Sequence, residues 1–271
     1  MTGQRTLITN DDGIESPGLH RLAHLALAAG LDVVIAAPLV QSSGSSASII
    51  GAETDGRIRF ERRELDGLEG VPAFAVEAAP ALIALIAAHR AFGPVPGLVL
   101  SGINRGANVG RAILHSGTVG AALTGGMNGG RGLAISLDVG MNPVQCHWDA
   151  AAPFVARLIP ALLGQPPGTV FNLNVPNTDA AVLALREGTL APFGIVQTTM
   201  ARSDAENVRL SVADTPAGQD PDSDAALLDA GFATVTSITS IVEATASALV
   251  IAQLGEATPT ADPASAPTLE M

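Results

Sequence analysis

Two aspartates stand side by side in the stretch Thr9-Asn10-Asp11-Asp12-Gly13-Ile14, directly after the first apolar run of the chain. Adjacent carboxylates repel each other unless a cation binds both of them. Because side chains alternate faces along a strand, Asp11 and Asp12 converge on one ion only where a strand ends and the chain turns, and Gly13 provides that turn. The stretch therefore predicts a cation site at the end of a strand. The alternative is an ordinary Asp-Asp-Gly turn in a loop.

Two further loops, residues 41–46 and 101–118, carry small polar residues after apolar runs. In open α/β sheets, ligands bind at the carboxyl ends of the strands, where such loops lie. The second loop contains Asn104 and Asn108 in a glycine-rich stretch, although asparagines of this kind can also serve only to satisfy a turn. It ends on Ser116-Gly117-Thr118, a sequence typical of a helix N-terminus that binds an anion such as phosphate.

The donor types of these loops indicate a particular chemistry. Two carboxylates together with neutral Asn and Ser oxygens suit Mg²⁺, Mn²⁺ or Ca²⁺. A cation site and a phosphate site on one edge of a sheet predict metal-assisted phosphoryl chemistry.

Short apolar runs alternate with helical patterns through the first 176 residues. A helix is predicted to begin with Ser16 as its N-cap and Pro17 at its first position. We therefore predict an α/β fold, with a Rossmann-like, doubly wound, mainly parallel sheet. The other predicted strands are residues 32–37, 97–101, 133–137 and 169–175, and the other predicted helices are residues 80–91, 118–127 and 147–163.

The pattern changes near residue 180, where short segments such as 208–212 and 233–238 suit antiparallel hairpins. Residues 255–271 are rich in Ala, Pro and Thr and have no periodicity. We expect a Rossmann-like catalytic core over residues 1–180 and a β-hairpin oligomerisation extension over residues 181–254. The extension ends in a returning strand or helix, and a disordered tail follows it over residues 255–271.

Composition limits the partners and the compartment. The net charge is −12, with no lysine and fourteen arginines, which opposes binding to a nucleic-acid polymer. The lone Cys146 excludes an internal disulfide and a cysteine metal cluster, and it fits a reducing compartment. No secretory signal or membrane-spanning stretch is evident. We expect a cytoplasmic protein that does not enter a membrane.

Taken together, the three loops resemble the SurE family of metal-dependent 5′/3′-nucleotidases, the survival protein E phosphatases. The resemblance extends over about residues 5–245 and is most specific in the first 140. The motifs that carry it, in order, are Thr9-Asn10-Asp11-Asp12-Gly13-Ile14, Pro17-Gly18, Ala37-Pro38 with Ser43-Gly44, Ser101-Gly102-Ile103-Asn104-Arg105-Gly106, Ser116-Gly117-Thr118-Val119 and, more weakly, Asn172-Leu173-Asn174-Val175-Pro176, Ser223-Asp224 and Gly231-Phe232.

The resemblance implies a residue set, a substrate and an assembly. The substrate would be a nucleoside monophosphate or a similar small phosphate monoester. The C-terminal β-hairpin arm would be exchanged between subunits of a dimer or tetramer. The resemblance implies that the divalent cation is bound by Asp11, Asp12, Ser43 and Asn104. It implies that the phosphate is bound by Asn108, Ser116, Gly117 and Thr118, and that Asn10 shapes the first turn beside the substrate. Direct catalytic roles are implied for Asp11, Asn108 and Ser116.

This sequence also departs from the family pattern. An acidic position of the family is Leu82 here, and the arginine that commonly precedes the loop serine is Ser42. A family His and Asp fall on Thr239 and Ile241. These changes leave a second hypothesis open, namely a SurE-like module that binds metal and nucleotide without turnover.

Other classes fit less well. A haloacid-dehalogenase phosphatase would place its nucleophile at Asn10, which has no charge to attack phosphorus. Neither a dinucleotide fingerprint nor a P-loop pattern is present. His20 and His24, four residues apart, are expected to be surface residues and not a metal chelate. His115 is expected to pack beside the site and not to act as its acid or base.

Overall fold

The computed structural model describes residues 3–51, 53–140, 143–179, 184–192, 197–203, 208–213 and 220–241. Residues Met1–Ser240 form one compact unit, and Ile241–Met271 form a second unit of which only Ile241 is described. The predicted tail, residues 255–271, and the last part of the predicted extension, residues 242–254, lie outside the described residues.

Strands and helices alternate along the chain. The strands are β1 (Arg5–Thr9), β2 (Asp32–Pro38), β3 (Glu53–Thr54), β4 (Arg57–Ile58), β5 (Phe60–Arg63), β6 (Ala73–Val76), β7 (Leu98–Arg105), β8 (Gly132–Asp138), β9 (Val170–Pro176), β10 (Leu185–Glu187), β11 (Gln197–Ser203), β12 (Val208–Ala213) and β13 (Ala233–Ile238). The helices are α1 (Pro17–Ala28), α2 (Pro80–Ala88), α3 (Gly117–Met127), α4 (Ala152–Leu163) and α5 (Asp224–Asp229), with 3-10 turns at Gly110–His115 and Trp148–Ala151.

Nine strands form one sheet in the order β10-β13-β9-β8-β7-β1-β2-β6-β5. The six strands from β9 to β6 in this order are parallel to one another. Numbered along the chain, these six lie in the order 3-2-1-4-5-6, which is that of the Rossmann fold. The predicted α/β class with a doubly wound, mainly parallel sheet is confirmed. At one edge of the sheet β5 pairs antiparallel with β6, and near the other β13 pairs antiparallel with β9 and is followed by the edge strand β10.

Both faces of the sheet are covered, which explains why its strands are continuously apolar in sequence. Successive residues of β1 point to opposite faces. Ile8 packs on one face with Leu19 of α1 and Phe154 of α4. Leu7 packs on the other face with Ile83 of α2, in a cluster to which α3 also contributes. Each such fully buried side chain stabilises the fold by roughly 1.5–3 kcal/mol relative to an exposed one.

Helix α1 begins as predicted, with Ser16 as its N-cap and Pro17 in its first turn. The helix predicted over residues 147–163 begins as a 3-10 turn and becomes α-helical only at Ala152. Strand β6 was not predicted, because its four residues are too few to show a periodicity.

After residue 180 the described strands belong to two different sheets. Strands β10 and β13 extend the main sheet beside β9. Strands β11 and β12 form an antiparallel hairpin that pairs with no other described strand. The division between a core and an extension at residue 180 stays a prediction. Among the described residues, no helix is long and apolar enough to cross a membrane.

Candidate metal and phosphate site

The site lies where the strand order reverses, between β1 and β7. These strands are neighbours in register, with Thr9 opposite Ser101, so the loops that follow them leave the sheet at the same edge. The Asp12 carboxylate accepts a hydrogen bond from the Arg105 backbone N–H at 3.1 Å, which joins the two loops. This is the position at which doubly wound sheets bind their ligands.

The first turn is shaped by Asn10, whose side chain is fully buried. Its amide donates to the Gly13 carbonyl at 3.0 Å and to Ser16 Oγ at 2.6 Å, and its oxygen accepts from the Gly13 N–H at 3.2 Å. Gly13 has a φ of 102°, a conformation that favours glycine. The hydrogen bonds of Asn10 thus connect the turn at Gly13 to the N-cap of α1, and its side chain organises this loop.

Asp11 is only 5% exposed, and its Oδ1 accepts a hydrogen bond from Thr118 Oγ1 at 2.6 Å. Burial raises the pKa of Asp11 to about 6; the Thr118 hydrogen bond opposes this shift, and the neighbouring Asp12 charge adds to it. Burial also raises the pKa of Asp12, opposed by the Arg105 N–H and guanidinium. Two adjacent carboxylates that are costly to ionise are the arrangement that a bound cation stabilises.

The loop after β2 reaches the aspartates through one backbone contact. The Ser42 N–H donates to the Asp11 carbonyl at 2.7 Å. Ser43, predicted as a cation ligand, is exposed, and its Oγ accepts from Gln41 Nε2 at 2.9 Å. Ser45 was not predicted. Its hydroxyl is buried and has no hydrogen-bond partner among the described residues.

Gly117 lies between this loop and Asp11. A Cβ atom placed on Gly117 would be 2.5 Å from Ser45 Oγ and 3.1 Å from Asp11 Oδ2, so only glycine fits there. The contact brings the N-terminus of α3 directly against the acidic turn. The serine-rich composition of the loop was the only sequence signal for Ser45, and it did not distinguish Ser45 from its neighbours.

Ser116 and Thr118 use their hydroxyls differently. Ser116 is the N-cap of α3, and its Oγ accepts from the Val119 N–H at 3.1 Å, which leaves its hydroxyl hydrogen free to donate. Thr118 Oγ1 donates its hydrogen to Asp11. A phosphate dianion offers only acceptors, so Ser116 can donate to it whereas Thr118 cannot while it is bonded to Asp11. The hydroxyl of Thr118 is therefore engaged by Asp11, and its predicted contact with phosphate stays a prediction.

Asn104 follows a β-bulge in β7, where the register against β8 shifts between Ser101 and Asn104. Its amide nitrogen donates to the Gly106 carbonyl at 2.8 Å. This bond fixes the side chain and leaves the Oδ1 atom available as a neutral oxygen ligand.

Asn108 is held by polar residues that were not predicted as site residues. Its side-chain amide donates to Ser136 Oγ at 2.8 Å, and its backbone N–H donates to Asn174 Oδ1 at 2.7 Å. Its carbonyl accepts from the amides of Asn172 and Asn174, both at 2.8 Å. The available signal was the presence of Ser136, Asn172 and Asn174 inside otherwise apolar strands; all three are fully buried.

Asp224 anchors the far end of the same loop. It is fully buried, and its two oxygens accept from three backbone N–H groups, those of Gly110 at 2.8 Å, Ala191 at 2.9 Å and Ala225 at 2.8 Å. The carboxylate therefore ties the loop after β7 to the segment after β10 and to α5.

The positions that depart from the family pattern lie in different places. Leu82 is buried in α2, and a Cβ on Gly51 would lie 3.1 Å from its Cδ2. Thr239 follows β13, whose last residue pairs with Val170 at the start of β9. Thr239 is therefore at the amino ends of the parallel strands, whereas Asp11 is at their carboxyl ends. Ile241 begins the second unit and is 91% exposed.

The histidines do not form a metal site. His20 Nε2 lies 3.1 Å from the Ile14 carbonyl, and His24 lies beside Gly67. His115 is exposed. Among the described residues, no group of three or more His, Cys, Asp or Glu side chains could hold a metal ion, so a cation at this edge would depend on Asp11, Asp12 and neutral oxygens.

Comparisons with known proteins identify relatives of this chain. Residues 6–203 match the family model of Survival protein SurE. The chain is 38% identical over 177 residues to 5′-nucleotidase SurE of Caulobacter vibrioides strain NA1000, a match that spans 64% of this chain and only 64% of that relative's length. It is 35% identical to 5′-nucleotidase SurE of Solidesulfovibrio magneticus, over 93% of this chain and 98% of the relative.

A solved structure supports the fold. The SurE protein from Aquifex aeolicus superposes with a TM-score of 0.69 at 22% identity, and the match covers 88% of this chain and 94% of that one. The family match over most of the chain and the near full-length relative together show that the chain belongs to the SurE family.

Proposed function

We propose that this protein is a divalent-metal-dependent phosphomonoesterase that hydrolyses nucleoside monophosphates or similar small phosphate monoesters. The observation that carries the proposal is the contact of the α3 N-terminus with the acidic turn, where a Cβ on Gly117 would lie 3.1 Å from Asp11 Oδ2. Cation ligands and phosphate donors are thereby adjacent. Relatives of the chain bear the names 5′-nucleotidase and 5′/3′-nucleotidase SurE.

The cation, Mg²⁺, Mn²⁺ or Ca²⁺, would be held by Asp11, Asp12, Ser43 and Asn104. The residues fit such an ion, because the Arg105 N–H joins the Asp12 carboxylate to the strand that carries Asn104, whose side-chain nitrogen is already bonded and whose oxygen remains available. When bound, the ion would stabilise negative charge on the phosphoryl group and lower the pKa of the attacking water.

The other residues would act on the substrate directly or hold those that do. The Gly117 N–H and the Ser116 hydroxyl would donate to phosphoryl oxygens at the positive end of α3. One preorganised donor of this kind contributes about 3 kcal/mol to transition-state stabilisation. Asn108 would donate the second hydrogen of its side-chain amide from a rigid loop, and Thr118 would orient Asp11. Asn10 would shape the turn, and no covalent protein intermediate is required.

We also propose a cytoplasmic dimer or tetramer in which residues 181–254 include the subunit-exchanged arm. The support is the β11–β12 hairpin, which pairs with no other described strand. An isolated two-stranded hairpin is marginally stable in water, so a partner subunit would have to cover it. The net charge of −12 argues against a nucleic-acid polymer as a partner.

The test is phosphate release from a panel of nucleoside monophosphates, phosphate monoesters and phosphodiesters, measured with added Mn²⁺ or Mg²⁺ and again with EDTA. The proposal expects release from monoesters only, and only with metal. Binding of Mn²⁺ and nucleotide by calorimetry without any release would identify a binding module instead.

A further inference from the structure

A cleft of about 690 Å³ lies beside the candidate site, between the loop after β2 and the start of α2. It includes Ser43 and Ser45, so it is continuous with the edge where the cation and the phosphate would bind. A phosphate ester bound at that edge has its organic part directed away from the ion, and this cleft is an adjoining space of sufficient size.

The cleft is lined mainly by apolar side chains. Leu39, Val76, Ala78 and Ala79 form part of its wall, and Leu82 packs behind the wall against Gly51. Two other lining residues, Val40 and Ile50, are 72% and 74% exposed. Exposed apolar side chains grouped around a concave site indicate that an apolar group is buried against them when a ligand binds.

The polar lining groups lie mostly in the loop after β2, on the side of the candidate site. Gln41 Nε2 donates to Ser43 Oγ at 2.9 Å, and Ser48 Oγ accepts from the Ile50 N–H at 3.2 Å, so both serine hydroxyls keep a hydrogen to donate. Glu77 lies 3.7 Å from Arg59, and its negative charge opposes a second anionic group on the ligand. The remaining wall, which includes Val76, Ala78 and Ala79, offers apolar contact.

We infer that this cleft selects phosphate monoesters of aromatic or apolar alcohols over those of polyols, by apolar contact with the organic part. The inference rests on the proposed phosphomonoesterase function and adds a substrate preference to it. The preferred substrates would share one phosphate group esterified to an alcohol that carries an aromatic ring or an alkyl group.

Two matched substrate pairs test the preference. 2-Naphthyl phosphate and phenyl phosphate release alcohols of similar acidity and differ in apolar surface. Adenosine 5′-monophosphate and ribose 5-phosphate share the same primary ester and differ by the aromatic base. With saturating Mn²⁺, we expect kcat/KM to be about tenfold higher for the larger, more aromatic member of each pair.

Two variants place an uncharged polar group at the cleft without disturbing a buried position. Val40→Asn and Ile50→Asn should reduce kcat/KM for 2-naphthyl phosphate about tenfold and leave that for ribose 5-phosphate within twofold. Val144→Asn, at a fully exposed position outside the cleft, introduces the same side chain and should change neither value.

The outcomes separate the two claims. Release without a preference within either pair overturns the inference and leaves the proposed function standing. Variants that keep the preference also overturn the inference. Variants that change the oligomeric mass in light scattering overturn the inference as well, because Val40 and Ile50 would then line a subunit interface. No release from any of the four esters overturns the proposed function, and the inference falls with it.

Discussion

Asp11 is the side chain at which the proposed cation ligands and the proposed phosphate donors would meet. It is 5% exposed, accepts a hydrogen bond from Thr118 and lies against Gly117. Burial raises its pKa to about 6, well above the ordinary value of 3.8. The ionised carboxylate therefore destabilises the metal-free protein at neutral pH, and a bound cation would remove that cost.

We predict that the metal-free protein becomes more stable as the pH falls from 7.5 to 5. The pKa of Asp11 is higher in the folded state than the unfolded value of 3.8. The folded state therefore binds more protons than the unfolded state between pH 7.5 and pH 5, and the free energy of unfolding rises as the pH decreases. The contribution of Asp11 is on the order of 2 kcal/mol.

Urea unfolding in EDTA at both pH values measures this effect, with Asp11→Asn as the comparison. Asp12 and Asp138 also have raised pKa values, and since both proteins contain them, the difference between the proteins isolates Asp11. An equal gain in stability for wild type and Asp11→Asn would contradict the prediction.

Thr118 provides a second prediction at this scale. Thr118→Val removes the donor to Asp11 and should weaken Mn²⁺ binding about 10- to 100-fold, the usual effect of losing a partner that orients a metal ligand. The inhibition constant of inorganic phosphate at saturating Mn²⁺ should change less than twofold.

Calorimetry with Mn²⁺ and inhibition by phosphate provide the two readouts. Thr124→Val is the matched control, because the Thr124 hydroxyl donates to the Gly120 carbonyl within the same helix. Unchanged metal affinity together with weaker phosphate inhibition would return Thr118 to the phosphate contact that the sequence resemblance implies.

The sequence indicated Asp11 and Asp12, which follow the end of β1, because a strand boundary is a local pattern. The sequence also indicated Asn104, although β7 continues beyond it to Arg105. It did not locate the groups that hold them. Asp224 lies 114 residues from Gly110, to which it is bonded, and no local pattern encodes that distance. Hydrogen-bond assignment is equally non-local, which is why Ser116 and Thr118 could not be separated by sequence.

At the scale of elements, the loop after β7 is fixed from three sides. Strands β8 and β9 hold Asn108, and Asp224 of α5 holds Gly110. Helix α3 begins beyond this loop, at Gly117. The loop and the helix N-terminus therefore depend on polar contacts with elements from the second half of the chain.

We predict that Asp224→Asn loosens this loop. The amide offers one acceptor oxygen where the carboxylate accepts three N–H groups, and the loss should cost about 2–4 kcal/mol of unfolding free energy. Hydrogen exchange should accelerate in residues 106–115. Asp222→Asn, at an exposed neighbouring position, should leave exchange unchanged. Protection at wild-type level in Asp224→Asn would contradict this role.

Helix starts were the elements best predicted from sequence, because Ser16 with Pro17 and the stretch from Ser116 to Thr118 carry capping signals. The short strand β6 and the bulge in β7 were not predicted. A four-residue strand shows no periodicity, and a bulge depends on pairing with another strand, so neither leaves a clear local signal.

At the scale of the whole molecule, the negative charge of the chain supports the proposed cation. The chain has a net charge of −12, and the edge that carries the candidate site contains two carboxylates. A phosphate dianion would be repelled by both. A divalent ion at the switch point between β1 and β7 would offset the local negative charge and would attract the phosphate.

The most direct test of the account is Mn²⁺-dependent phosphate release from adenosine 5′-monophosphate by wild type and Asp11→Asn. The substitution keeps the shape of the side chain and removes the charge that the cation needs. We predict at least a hundredfold loss of release in a variant that stays folded by circular dichroism. Release at the wild-type rate with limiting Mn²⁺ would contradict the assignment of this edge as the metal site.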